Sequence, residues 1–139
     1  MSTLLLADTS GWAHAHDPKV VGAWEDALFS DRLATTPPVR LEILYTARSE
    51  VDYDLIASEL DALIQVPCGA DAFERALEVQ RLLAHRGGLH HRSVKLPDLV
   101  IAAAAEMADA VVWHYDKDYE RISEVTGQPN QWIARRGSL

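Results

Sequence analysis

Short apolar segments alternate along the chain with longer segments of helical periodicity, and this alternation limits the folds open to the sequence. The apolar segments that we interpret as strands are 3–7, 33–36, 111–113 and 131–134. Helices are predicted at 17–28, 37–48, 52–65, 71–85, 97–105 and 118–122. Strands separated by helices form parallel sheets. The sequence therefore predicts an α/β fold with a short central parallel sheet flanked by helices on both faces.

Length and composition are those of an ordinary globular protein. The chain has 139 residues, of which 48% are hydrophobic and 24% charged, so we expect a single domain over residues 1–139. The single cysteine, Cys68, excludes an intramolecular disulfide and fits a reducing compartment. Because no apolar run approaches the length of a membrane span, we expect no membrane association and a cytoplasmic location.

Four carboxylates border apolar runs, namely Asp8, Glu42, Asp98 and Asp116. Acidic side chains are rarely buried unless they are paired or bind a cation. Asp8 and Asp116 both follow predicted strands, and the carboxyl ends of parallel strands meet at one edge of a sheet, where ligands bind. Ligands that offer only oxygen suit Mg²⁺ or Mn²⁺. The four carboxylates together predict a metal site.

Each carboxylate also has a simpler explanation when it is taken alone. Asp8 suits an Asx-turn or a helix N-cap, and Glu42 could pair with a nearby arginine. Asp98 could complement a helix dipole, an effect of about 0.3–1 kcal/mol, and Asp116 could lie in a solvated turn. Their recurrence at similar places favours the metal site over four separate explanations.

The net charge of −8 argues against a nucleic-acid partner, which usually binds a basic face. Two bound divalent cations would halve that charge. The basic residues are also unevenly spread. Segment 81–95, shortly before Asp98, contains three arginines, one lysine and three histidines but no acidic residue.

Four segments in order, 4–10, 40–44, 95–103 and 112–122, resemble the PIN-domain ribonucleases, and specifically the VapC-type toxins of bacterial toxin–antitoxin pairs. The ordered set covers essentially the whole chain. The resemblance implies a PIN-like fold and endonucleolytic cleavage of RNA that depends on Mg²⁺, with Mn²⁺ as a substitute. It places Asp8, Glu42, Asp98 and Asp116 on the family's four acidic positions, as catalytic residues and metal ligands.

The resemblance also implies roles for neighbouring residues and for partners. Thr9 and Ser10 match polar residues that hold the first acid or a bound water, and Asp118 is expected to support the ligands without binding the metal itself. Many relatives carry a small hydroxyl residue where this chain has His114, which puts that hydroxyl contact in doubt. The implied partners are an RNA substrate, a cognate antitoxin that occludes the acidic site, and a second copy in a homodimer.

The basic segment is the candidate for binding RNA, since carboxylates together with metal ions hold the phosphate and do not read bases. We expect it to position RNA beside Asp98, the alternative being a solvated charged loop. The residues predicted to do so are Arg86, His90, His91, Arg92 and Lys95.

Two other functions are compatible with acids at strand ends. A receiver-like phosphoacceptor domain would carry a lysine after a late strand, a setting that Lys117 meets only marginally. An inactive PIN-type interaction module would keep the fold without the chemistry. Phosphorylation by acetyl phosphate distinguishes the first alternative, and metal binding distinguishes the second.

Overall fold

The computed structural model describes residues 3–139 and contains one five-stranded parallel sheet. The strands are β1 (Leu5–Ala7), β2 (Leu33–Thr35), β3 (Ile64–Gln65), β4 (Val111–His114) and β5 (Asn130–Trp132). The helices are α1 (Thr9–Ala13), α2 (Val21–Phe29), α3 (Pro37–Tyr45), α4 (Glu50–Asp61), α5 (Ala70–His85), α6 (Leu96–Met107) and α7 (Asp118–Thr126), with a 3₁₀ turn at His90–Arg92. The predicted α/β class with a central parallel sheet is confirmed.

The strand order is β3-β2-β1-β4-β5, so the direction of the chain across the sheet reverses between β1 and β4. Crossovers between parallel strands are right-handed in nearly all proteins. The chain therefore winds in one direction through β1–β3, with α1–α4 in the connections, and in the other direction through β4 and β5, with α5–α7 in the connections. The reversal opens a crevice at the carboxyl ends of β1 and β4, where α/β proteins bind ligands.

Helix α6 lies in the interior, as its nearly continuous apolar sequence predicts. Ile101 and the four alanines of 102–105 are all buried, and α6 packs against α5, α7, α3 and β4. Small side chains let these neighbours approach closely. With 12 residues α6 is short, and no helix within residues 3–139 combines the length and apolarity that a membrane crossing needs.

Two predicted segments differ from the structure. The helix predicted over 52–65 ends at Asp61, and Ile64–Gln65 instead pair with Ala34 and Thr35 of β2. A strand of two residues is too short to show the period-2 pattern that identifies strands. The turn predicted after β1 is helix α1, in which Asp8 is the N-cap. Asx-turns and N-caps use the same side-chain chemistry, so the sequence does not separate them.

Candidate active site

Asp8 lies at the end of β1 and caps α1 from a position that is only 2% exposed. Its Oδ1 accepts hydrogen bonds from Ser10 Oγ at 2.7 Å and from the Gly11 N–H at 2.8 Å. Burial raises the pKa of Asp8, and these two hydrogen bonds act in the opposite direction. Ser10 Oγ in turn accepts from the Tyr115 N–H at 2.8 Å, so Ser10 joins Asp8 to the chain that follows β4.

Gly11 is required by the close approach of α1 to β4. A Cβ atom at this position would lie 2.7 Å from the carbonyl oxygen of Trp113. The Asp8 N–H donates a hydrogen bond to the same Trp113 carbonyl oxygen at 3.2 Å. The missing side chain therefore lets the first turn of α1 sit against the adjacent strand and aim its N–H at Asp8.

Asp98, Asp116 and Asp118 form a group that we call the acidic triad, in which one oxygen of each carboxylate lies within 4.8 Å of the others. Asp98 is in the first turn of α6, Asp116 follows β4, and Asp118 begins α7. The Asp118 N–H donates to Asp116 Oδ1 at 2.9 Å. The structure thus brings Asp118, expected only as a supporting residue, into direct proximity with two of the four predicted ligands.

Asp98 has one oxygen that is satisfied and one that is not. Oδ1 accepts from the Tyr119 hydroxyl at 3.1 Å, whereas Oδ2 is buried without a hydrogen-bond partner. Burial and then the neighbouring Asp118 raise the pKa of Asp98 to about 8. Burial also opposes ionisation of Asp118, but the neighbouring Asp98 and the hydrogen bonds from Lys95 outweigh it and lower the pKa of Asp118. A buried carboxylate oxygen with no partner is costly unless a ligand satisfies it.

Tyr119 links Asp8 to the acidic triad and was not predicted from the sequence. Its buried hydroxyl donates to Asp98 and also contacts Asp8. Burial and the two carboxylates raise the pKa of Tyr119 well above its ordinary value, so it stays a hydroxyl donor. The sequence feature that could have identified Tyr119 is its position among the apolar residues of α7, because a buried tyrosine hydroxyl usually has a hydrogen-bond partner.

Glu42 reaches the site from α3 and is half-buried. Its Oε1 accepts from Thr9 Oγ1 at 2.9 Å, which attaches Glu42 to the helix that Asp8 caps. The nearby Arg40 pairs with Asp61 and Gln65 instead of with Glu42. Glu42 and Asp8 therefore line the α1 side of the crevice, and the acidic triad lines the α6 and α7 side.

His114 replaces the small hydroxyl residue of many relatives and makes a different contact. Nδ1 accepts from the Asp116 N–H at 3.1 Å, which places the ring proton on Nε2, and Nε2 donates to Asn130 Oδ1 at 2.8 Å. Burial lowers the pKa of His114, so the ring is neutral. The imidazole thereby holds the backbone of Asp116 at the end of β4.

Lys95 is the residue of the basic segment that reaches the acidic triad. Its Nζ lies 2.6 Å from Asp116 Oδ2, 3.1 Å from Asp118 Oδ2 and 3.4 Å from Asp98 Oδ2. Burial opposes protonation, but hydrogen bonds to Asp116 and Asp118 raise the pKa of Lys95. The positively charged Lys95 side chain thus lies among the three carboxylates of the acidic triad.

The other four residues predicted to bind RNA lie outside the acidic triad. Arg86 pairs with Glu124 at 2.9 Å, and Arg92 is exposed. The His90 ring contacts the Gly87 carbonyl, and His91 is half-buried in the 3₁₀ turn. The segment runs up to the N-terminus of α6, so it borders the crevice without closing it.

A sequence profile of the PIN domain family matches residues 5–125. The chain belongs to the PIN domain family. Among curated PIN domain relatives, ribonuclease VapC18 of Mycobacterium tuberculosis is 56% identical over 132 residues, which cover 95% of this chain and 96% of the relative. Ribonuclease VapC51 of the same species is 40% identical over 139 residues, covering 100% and 99% of the two chains. The resemblance to VapC-type PIN domains is confirmed.

Solved PIN domain structures share the fold. The DNA-bound VapBC of Salmonella typhimurium superimposes with a TM-score of 0.76 at 18% identity, covering 96% of this chain and 100% of the other. VapC20 of M. tuberculosis, described as a sarcin-ricin loop cleaving toxin, gives a TM-score of 0.59 at 18% identity, covering 84% and 92%. Membership of the PIN domain family removes the receiver-like alternative.

The residues at the crevice fit a divalent metal. All the donor groups are carboxylates and hydroxyls, which suit hard cations. Asp98 Oδ2 is buried without a hydrogen bond, and the Lys95 ammonium lies 3.4 Å from it. A positively charged group therefore already lies beside the oxygen that would bind a metal cation.

Proposed function

We propose that this protein is a Mg²⁺-dependent endoribonuclease, the toxin of a toxin–antitoxin pair, and that Mn²⁺ substitutes for Mg²⁺. The catalytic and metal-binding residues are Asp8, Glu42, Asp98 and Asp116, with Asp118 beside them. The observation that carries the proposal is the convergence of three carboxylates in which Asp98 Oδ2 is buried without a hydrogen bond, beside the Lys95 ammonium at 3.4 Å. The identity of the relatives, which are named ribonucleases, supports RNA as the substrate.

The protein's own residues orient the carboxylates. Tyr119 holds Oδ1 of Asp98 and leaves Oδ2 directed to the ligand, and Ser10 and Gly11 hold Asp8. Thr9 holds Glu42 in the same way. When bound, a divalent ion lowers the pKa of water and stabilises negative charge on the leaving oxygen of a phosphodiester. The reaction then needs no covalent nucleophile, and its product carries a 5′-phosphate.

The basic segment supplies contacts to the RNA backbone in this proposal. Changing both Arg86 and Arg92 to glutamine should weaken RNA binding and flatten its salt dependence, because each phosphate contact adds to the salt slope. Arg32→Gln, which lies immediately before β2, outside that segment, and pairs with Asp26, is the matched control. An unchanged salt slope in the double variant would contradict the RNA role of the segment.

Exposed apolar residues mark the surfaces for protein partners. We propose that the cognate antitoxin covers α3 and α4 and inserts an arginine into the acidic site, since a guanidinium pairs carboxylates bidentately. A cavity of about 420 Å³ lies beside α3. The homodimer would form through α5. Residues 1–139 would act as a single domain, and its location would be the cytoplasm, where Cys68 stays reduced. The exposed apolar residues on these helices are Leu41, Tyr45, Val51, Leu55, Phe73 and Leu77.

Cleavage of total RNA by the purified protein tests the proposed activity. The wild type is expected to cut RNA with Mg²⁺, to leave 5′-phosphates at the mapped ends, and to be inactive with a chelator. Asp98→Asn should abolish cleavage. Asp109→Asn, an exposed acid at the other end of the same helical segment whose positive φ asparagine tolerates, should leave cleavage intact. Cleavage by Asp98→Asn at the wild-type rate would refute the proposal.

A further inference from the structure

We propose that Lys95 is an internal cation that occupies the metal position and leaves it when a divalent metal binds. This inference rests on the proposed function and adds a control of metal binding to it. Three side-chain distances carry it, since Nζ lies within 3.4 Å of an oxygen from every member of the acidic triad.

The ammonium and a metal ion are mutually exclusive in this arrangement. Mg²⁺ binds carboxylate oxygens at about 2.0–2.1 Å, so an ion on Asp98 Oδ2 and Asp116 Oδ2 would fall in the space that Nζ fills between those atoms. Two cations so close would also repel each other strongly. Metal binding therefore requires the ammonium to move away.

The geometry allows the ammonium to move without disturbing the backbone. The Lys95 side chain is 63% exposed, whereas the side chains of Asp98 and Asp118 are 7% and 5% exposed. The Lys95 N–H also donates to Asp118 Oδ2 at 3.0 Å, a contact that is independent of the side chain. The lysine can thus swing into solvent while its backbone keeps the start of α6 in place.

Displacement has two consequences for the protein. Without metal, the single positive charge of Lys95 reduces the repulsion among three carboxylates whose oxygens lie within 4.8 Å and so stabilises the fold. With metal, the same ammonium is released at the edge of the crevice, where it is free to meet an RNA phosphate. Lys95 therefore lowers the affinity for metal and couples the loaded state to substrate contact.

The test is a calorimetric titration of the whole protein with Mn²⁺ alone. Lys95→Met keeps an unbranched side chain that is one atom shorter and removes its charge. We expect it to bind Mn²⁺ about tenfold more tightly than the wild type, the factor expected for losing one charged hydrogen-bonding competitor. Lys117→Met removes one positive charge next to Asp116 without removing a contact to the triad, so its affinity should change by less than about threefold.

Thermal unfolding gives a second readout that a purely structural role would not produce. Lys95→Met should melt at a lower temperature than the wild type without metal and at the same temperature in saturating Mn²⁺. A loss of stability that is equal with and without Mn²⁺, or an Mn²⁺ affinity that is unchanged or weaker, would overturn the inference.

Asp98→Asn separates this inference from the proposed function. If Asp98→Asn loses Mn²⁺ binding while Lys95→Met leaves the affinity unchanged, the metal site stands and the role of Lys95 is wrong. If Asp98→Asn binds Mn²⁺ as the wild type does, the proposed metal site itself is wrong.

Discussion

Replacing Gly11 with alanine should destabilise the protein and disturb its acidic site. The new Cβ would lie 2.7 Å from the carbonyl oxygen of Trp113, whereas ordinary contacts begin near 3.4 Å, so one of the two segments must move by about 0.7 Å. The obstacle is backbone in the middle of the sheet and cannot rotate away. Overpacking of this kind costs about 1–3 kcal/mol. Alanine recovers about 0.5–1 kcal/mol of helix propensity, which leaves a net loss of between about 0 and 2.5 kcal/mol.

Urea unfolding of the metal-free protein measures this loss, and Gly22→Ala is the matched control. A Cβ at Gly22 meets nothing within 4 Å, and the residue lies in α2, so alanine there should stabilise the protein by about 0.5–1 kcal/mol. Gly11→Ala should also weaken Mn²⁺ binding, because the displaced N–H no longer holds Asp8. Equal free energies of unfolding for the two variants would refute the close-approach argument.

Three further predictions follow from hydrogen bonds and pKa shifts at the site. Thr9→Val should lower the cleavage rate about tenfold, because it removes the hydrogen bond that holds Glu42. Thr9→Ser keeps the hydroxyl and should keep the rate. Equal cleavage rates for Thr9→Val and the wild type would contradict the role of that bond. The Mn²⁺ affinity measured by calorimetry should rise with pH up to about 8, because the raised pKa of Asp98 means that the metal must displace a proton. An Mn²⁺ affinity that does not change from pH 6 to 8 would exclude displacement of a proton from Asp98. The stability margin of the wild type over His114→Gln should shrink as the pH drops below about 6.5, because the pKa of His114 is lowered in the folded protein, so its contribution is complete above the unfolded pKa and is lost toward acid. Asp8 and Asp98, whose pKa values are raised, act in the opposite direction in both proteins, so the difference is measured by chemical denaturation of the pair from pH 5 to 8, and a margin that does not change with pH would contradict the role of His114.

The order of strands and helices could be predicted from the sequence because each signal is local. The apolar runs before Asp8 and Asp116 show the strands directly, and the rule that parallel strands end at one edge places both acids there. Strand β3 could not be predicted in this way. Ile64 continues the apolar stripe of the preceding helix, and only pairing with β2 makes Ile64 and Gln65 a strand.

The contacts within the site could not be predicted because they join distant parts of the chain. The carboxylate of Asp98 and the hydroxyl of Tyr119 are 21 positions apart, and Thr9 and Glu42 are 33 apart. A lysine that precedes a helix indicates a solvated residue or a phosphate contact when it is read alone. Its placement among three carboxylates depends on how α6 and α7 pack, which no local pattern encodes.

Anomalous diffraction from crystals grown with Mn²⁺ would locate the ion in the acidic site. We expect an anomalous peak in the crevice, bound by Asp98 and Asp116, with the Lys95 ammonium withdrawn from both. A protein that cleaves RNA in Mn²⁺ but shows no peak at these carboxylates would contradict it.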